Sequence, residues 1–251
     1  MNSLDWLDYY QRNKTNRPEP KWGLPSPLDA KMLRALSRSL SHFQLGETGE
    51  GKFLIAQARA QLPDDAAYHQ ALELFVLEEG EHARLLQKLV HRFGGKTIRH
   101  HWTHTMFRFV RRVLGFKFEI QLLVTAELVG TAYYRLLQMR TRDSVLDEVC
   151  TLILKDEAQH VDFHADWFGD FQSRLLPLER EIWSAQFQFL FTAAAIVAWI
   201  DHQHCLKMTG ASRAEFFRKA RRECIRFLKQ LSQRAARELN SRTTEITTAD
   251  C

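Results

Sequence analysis

Two segments of the chain, Glu79-Gly-Glu-His82 and Glu157-Ala-Gln-His160, place a histidine three residues after a glutamate. Three residues is nearly one helical turn, so both side chains of a pair leave the helix on one face and can reach a common metal ion. Oxygen and imidazole donors with open positions suit iron or manganese, and the lack of thiolate argues against structural zinc. A single pair is weak, because helices are rich in glutamate. Two in register, each level with a further inward acid, make a much stronger case. Those further acids are Glu127 and, earlier in the chain, Glu47 or Glu50.

The acids stand out because of the stripes they interrupt. Leu33, Leu36, Leu40 and Phe43 lead at helical spacing to Glu47 and Glu50, and Leu72 and Phe75 lead to Glu79 and His82. Leu123, Glu127, Gly130 and Tyr134 form a third stripe, and Val149, Ile153, Glu157, His160 and His164 a fourth. A core-facing stripe should be apolar, since an unpaired buried carboxylate is costly or takes up a proton. Heights in a helical hairpin give a second test. Glu127 and Glu157 are equidistant from Arg142, in the polar turn Thr141-Arg142-Asp143-Ser144. Glu79 is level with Glu47 about Pro63, or with Glu50 about the Asp64–Asp65 bond. The offsets Glu50 to Glu127 and Glu79 to Glu157 nearly agree, as an internal duplication would require.

The elements that must hold these residues are helical throughout. Residues 1–27, with Trp6, Trp22 and three prolines, read as an extended N-terminal arm. Helices are expected at about Leu28–Gln61, Ala66–Phe93, Met106–Met139 and Ser144–Phe171, punctuated by Pro63-Asp64-Asp65 and Gly94-Gly95. Two more follow near Leu178–Lys207 and Ser212–Asn240, and the tail frays from Ser241. The organisation is therefore an arm (1–27), a four-helix unit (28–175), a C-terminal helical pair (176–242) and a tail (243–251).

Composition sets the remaining bounds. With 251 residues and 45% apolar content the chain can bury a substantial core without disulfides. The four cysteines are scattered, which excludes a rubredoxin-type site, a zinc ribbon or a disulfide framework. The net charge of +5 is concentrated at Arg108–Arg112 and Arg213–Arg242, stretches read as solvated helix faces rather than a nucleic-acid site. The start of the chain has no apolar signal core, and the run Phe187–Ile200 is short for a bilayer, so no membrane span and a cytoplasmic location are expected.

These residues resemble the ferritin-like di-iron carboxylate superfamily over about Leu36–Phe171. In that bundle two helices each give a glutamate and two give Glu-x-x-His. Gly46-Glu47-Thr48-Gly49-Glu50 is similar to the first-helix motif of demethoxyubiquinone hydroxylases and aldehyde-deformylating oxygenases. Glu127-x-x-Gly130 with Tyr133-Tyr134 resembles their third helix, and rubrerythrin-like proteins share an additional acid. The position three after Glu47 is usually small in the family but is Glu50 here; motif favours Glu47 and spacing favours Glu50, and both are taken to face the site. The resemblance implies an all-α ferritin-like four-helix bundle with a long crossover, plus two additional C-terminal helices.

The resemblance also implies two iron ions, with manganese or a mixed pair as variants. One would take Glu47 or Glu50 with His82, the other Glu127 with His160, while Glu79 and Glu157 bridge. Tyr133 and Tyr134 are candidates to relay an electron or donate a hydrogen bond to the site, with ordinary aromatic packing the competing reading for both, and Tyr134 is the candidate catalytic side chain. Asp156 is a candidate to orient a ligand histidine from behind, and His164 reads as a satisfied core histidine. His202, His204 and the cluster His100, His101 and His104 are read as surface or packing residues, because no register supports a metal there. The expected activity is dioxygen activation to hydroxylate or oxidise an organic substrate, with an external reductase, a small hydrophobic substrate and a homodimer. The alternative is an iron-handling or peroxide-scavenging protein without an organic substrate.

Overall fold

The computed structural model describes residues 1–49, 51–105 and 115–249, the side chains of 242–249 excepted. Eight helices run through these residues: α1 (Ser3–Thr15), α2 (Ala30–Glu47), α3 (Lys52–Gln61), α4 (Ala66–Arg92), α5 (Phe116–Arg140), α6 (Ser144–Ser173), α7 (Pro177–Met208) and α8 (Arg213–Ala249). No strand occurs among the described residues, so the chain is all-helical.

Aspartates start the helices that matter most. Asp29 accepts from Met32 N at 2.7 Å, Asp65 from Tyr68 N at 2.8 Å and Asp143 from Leu146 N at 2.9 Å, each satisfying an otherwise orphaned amide. These caps fix where α2, α4 and α6 begin, and hence the rotational phase of every residue on them. Asp143 is fully buried and is matched by Arg92 at 3.3 Å, which ties the end of α4 to the start of α6.

Packing places four helices around one centre. α2 lies along α4 and α5 along α6, with α4 also touching α6. α5 and α6 are antiparallel, joined at Thr141–Asp143, and Gln138 donates to Thr151 at 2.8 Å across the hairpin. α1 covers α4, while α7 and α8 pack on α5, and α8 also covers α6. One apolar core runs through the assembly, from Trp6 and Tyr10 on α1 to Phe216 and Phe227 on α8.

Several expectations change. Residues 3–15 are helical rather than extended: Asn2 and Asp5 form a reciprocal capping box, and Trp6, Tyr10 and Asn13 face inward. The single helix expected over Leu28–Gln61 is two, broken before Gly51. Gly51 has φ +60°, and a Cβ there would sit 2.4 Å from Val76 Cγ2, so the chain turns where no other residue fits. The last helix continues to Ala249 rather than fraying at Ser241. Met106, the expected start of the third helix, lies outside the described residues, as does the basic cluster Arg108–Arg112.

Helix α7 is apolar on both sides. Trp183, Phe187, Phe191, Ala195 and Trp199 are buried, Phe187 against Phe227 and Trp199 against Phe216. Ile182, Phe189 and Ile196, seven residues apart, are exposed. By length and composition α7 as a whole is long and apolar enough to cross a bilayer, although the run Phe187–Ile200 alone is short for one. Its inner face is committed to the core of the protein.

Candidate metal centre

α4 and α6 bring Glu79, His82, Glu157 and His160 together, with one ligand atom from each within 4.8 Å of all the others. Glu79 Oε1 lies 2.9 Å from His160 Nδ1 and 3.7 Å from His82 Nδ1. Glu157 lies 3.8 Å from His82 Nδ1 and 3.9 Å from His160 Nδ1. Each carboxylate thus stands between both imidazoles, so that all four groups can reach one cation. All three side chains other than Glu79 are buried.

Behind each histidine stands an acid from the opposite helix. His82 Nε2 meets Asp156 Oδ2 at 3.2 Å, and His160 Nε2 meets Glu78 Oε2 at 3.0 Å. Each acid directly precedes a glutamate of the cluster, so the two motifs, Glu78-Glu79-x-x-His82 and Asp156-Glu157-x-x-His160, interlock reciprocally. An acid on Nε2 turns Nδ1 towards the centre and makes it a better donor. Asp156 was legible as an orienting group; Glu78 was not singled out, although an acid before the glutamate in both motifs was its signal.

A third layer comes from the N-terminal region. Asn13 donates to Glu78 Oε1 at 2.6 Å and to Asp156 Oδ1 at 3.0 Å. Arg17 pairs with Glu78 at 3.2 Å and also with Asp156. Tyr10, fully buried, lays its ring 6.3 Å from that of His160. Phe75 closes the apolar wall, edge-on to His160 at 4.6 Å and to His164 at 5.0 Å.

The remaining candidates fall around this group. Burial pushes the Glu47 carboxyl well above the usual range, and the neighbouring Glu79, within hydrogen-bonding reach, adds to it. Glu127 is buried with its Oε1 3.3 Å from His164 Nε2. Neither nitrogen of His164 has a partner in hydrogen-bonding geometry, so it is not the satisfied core histidine expected. Tyr134 is buried; burial first, then Glu47 and Glu157, hold its hydroxyl well above the usual phenol range. Glu50 lies outside the described residues.

The fit to a cation rests on orphaned atoms. His82 Nδ1, both Glu127 oxygens, Tyr134 Oη and Glu157 Oε2 are buried without a hydrogen-bonding partner, while Glu79 Oε1 and His160 Nδ1 face each other at 2.9 Å. Each orphan would cost on the order of 1–3 kcal/mol if left so. Burial and then Glu79 push Glu157 upward, whereas Glu79, against the desolvation of its buried Oε1, is held low by the His160 and His82 imidazoles. His160 in turn is raised by Glu78 and Glu79 against the opposing effect of burial. The metal-free site therefore ionises only in part, and a cation entering it would displace protons.

On the far side of Tyr134, Phe43 stacks on Tyr133 at 4.3 Å and on His202 at 4.5 Å. Ser39 Oγ joins Tyr133 Oη at 2.6 Å and His202 Nδ1 at 2.8 Å. Burial pushes the His202 imidazole down to about 3, and the His42 and His101 rings add to this. The unfolded chain takes up this proton near pH 6.5, so the stability is fully present above pH 6.5 and is lost as pH falls toward the folded value. At pH 5 the loss is about 2 kcal/mol. Urea unfolding of chelated protein at pH 7.5 and pH 5 should show this loss in the wild type and its absence in His202→Gln; parallel behaviour would remove the assignment.

No protein-family model, curated protein or solved structure matches the chain.

Proposed function

We propose that the chain is a ferritin-like di-iron carboxylate oxidoreductase that uses dioxygen to oxidise an organic substrate. The observation that carries the reading is the set of orphaned, inward-facing nitrogen and oxygen atoms on interlocked Glu-x-x-His helices, flanked by Glu47 and Glu127. Glu47 with His82 would hold one ion and His160 the other, with Glu79 and Glu157 shared, and Glu127, 3.3 Å from His164, would turn toward His160 to complete the second site. Iron held by these residues would supply the two-electron reduction of dioxygen that a hydroxylation needs, with one oxygen atom going to the substrate and the other to water. An external reductase restores the two electrons, since the buried cysteines Cys150, Cys205 and Cys224 form no redox pair.

The protein's own groups shape that chemistry. Phe75 and Tyr10 pack against His160 and exclude water from it. Asp156 and Glu78 hold the imidazoles with Nδ1 inward. Tyr134 keeps its proton next to Glu47 and Glu157, where it can donate a hydrogen bond to a group bound between them.

One observation favours the iron-handling or peroxide-scavenging reading. The clefts at Phe217–Ile225 and at His42–Lys207 both lie away from Glu79 and Glu157, so neither delivers an organic molecule to the centre. Anaerobic loading with ferrous iron followed by oxygen separates the readings. An oxygenase centre oxidises about two irons per chain and then waits for reductant. Continued oxidation of added iron, or catalytic consumption of peroxide alone, would establish the second reading instead, and failure to bind iron would remove both.

A further inference from the structure

His42 on α2, His101 in the connection after α4 and Asp201 on α7 converge from three distant parts of the chain. One ligand atom from each lies within 4.8 Å of the other two. His101 Nδ1 is 3.7 Å from Asp201 Oδ2, and the His42 and His101 rings face each other with centroids 4.1 Å apart. Ligands on a tetrahedral ion bound at about 2.0–2.1 Å are themselves roughly 3.4 Å apart, so small side-chain adjustments suffice. His42 Nδ1 is buried and has no hydrogen-bonding partner. Thr103 Oγ1 lies 2.6 Å from His101 Nδ1, the nitrogen that faces Asp201, and would have to yield it to a cation bound there.

We infer that His42, His101 and Asp201 form a second, solvent-accessible site for a divalent transition metal, separate from the buried centre. Two imidazoles and one carboxylate leave positions open for water or a small ligand, the donor set of a catalytic zinc or a non-haem ferrous ion. The three side chains are partly exposed and open on a cleft of about 480 Å³ shared with Arg38 and His204. Packing alone explains the geometry poorly: stacked imidazoles next to an aspartate leave His42 Nδ1 unmatched, whereas a cation uses all three groups at once. The site also stands at the outer end of the contact chain His202, Ser39, Tyr133 and Phe43, whose inner end touches Tyr134. This inference is independent of what occupies the buried centre.

Zinc titration by equilibrium dialysis tests it, with cobalt as the spectroscopic probe. Wild-type protein and Glu79→Gln/Glu157→Gln should both bind one zinc ion that His42→Ala and Asp201→Asn lose or bind at least roughly a hundredfold more weakly, since removing even an orienting partner costs 10–100-fold. The cobalt form of Glu79→Gln/Glu157→Gln should show a visible absorption band of low-symmetry coordination that disappears when His42→Ala or Asp201→Asn is added to that pair. Asp201→Asn preserves shape, and an unchanged far-UV dichroism spectrum keeps its result interpretable if His42→Ala folds poorly. Equal zinc stoichiometry and affinity in Asp201→Asn and wild type would overturn the site.

Discussion

Replacing Glu79 and Glu157 by alanine should empty the buried centre completely, while either replacement alone should leave it weakened. Both carboxylates approach both imidazoles, at 2.9 to 3.9 Å, so together they hold the two halves of the cluster at one place. After loading with ferrous iron and desalting, the wild type is expected to retain about two ions per chain there and the double variant none. Stability should follow. An ion at a thousand times its dissociation constant adds about 4 kcal/mol, so chelation should lower the wild-type unfolding midpoint strongly and leave the double variant unmoved. Without metal the order should narrow or reverse, because the substitution deletes two acids from a site where burial already drives Glu47 and Glu157 to hold protons. Glu79→Gln/Glu157→Gln, which keeps the side-chain volume, separates loss of charge from loss of packing. Equal metal content in wild type and both double variants, or an equal response to chelator, would sink the metal assignment.

The parts of this centre that the sequence makes legible are those carried by long uninterrupted helices. α4 and α6 have aspartate caps and regular apolar stripes, so Glu79, His82, Glu157 and His160 come together as their phase requires. Counting from the α5–α6 turn places the Cα atoms of Glu127 and Glu157 level, yet the carboxylate of Glu127 meets His164. Side chains on a helix lean toward its N-terminus. On antiparallel helices that lean carries Glu127 away from the turn and His164 toward it, so their tips meet about two turns past the residue Cα counting selects. Equal Cα heights are therefore not equal tip heights.

What stays hidden has different causes. The break at Gly51 depends on a close approach to Val76 on another helix, which no local pattern encodes. His42, His101 and Asp201 meet only through tertiary packing, and a periodicity argument discards them one at a time. The role of α1 was in principle readable. Trp6, Tyr10, Asn13 and Arg17 recur at steps of four, three and four, a helical stripe that ends in an amide and a guanidinium. The three prolines that follow give the segment the look of an extended arm.

That stripe makes the second large effect predictable: Asn13→Ala/Arg17→Met should weaken metal binding at the buried centre by one to two orders of magnitude without unfolding the protein. Glu78 and Asp156 are both buried, and each orients a ligand histidine on the opposite helix. Asn13 and Arg17 each contact both acids and so hold them in place behind the histidines. Without that bridge Glu78 and Asp156 would be free to swing away from His160 and His82, and the histidines would lose the partners that aim Nδ1 inward. Outer partners of ligand histidines are worth 10–100-fold in affinity, or about 1.4–2.7 kcal/mol. α1 should stay docked, since Trp6 Nε1 and the N-terminus both bind Asp166, at 2.9 and 3.0 Å, and Ser3 donates to Asp65 at 2.7 Å. Chelator competition reads the affinity, and Ser3→Ala is the control that cuts an anchor of α1 without touching Glu78 or Asp156. Arg17→Lys keeps the charge but loses the two-pronged reach, so its affinity should fall between wild type and Arg17→Met. Wild-type affinity in all of these variants would mean that α4 and α6 hold the histidines alone.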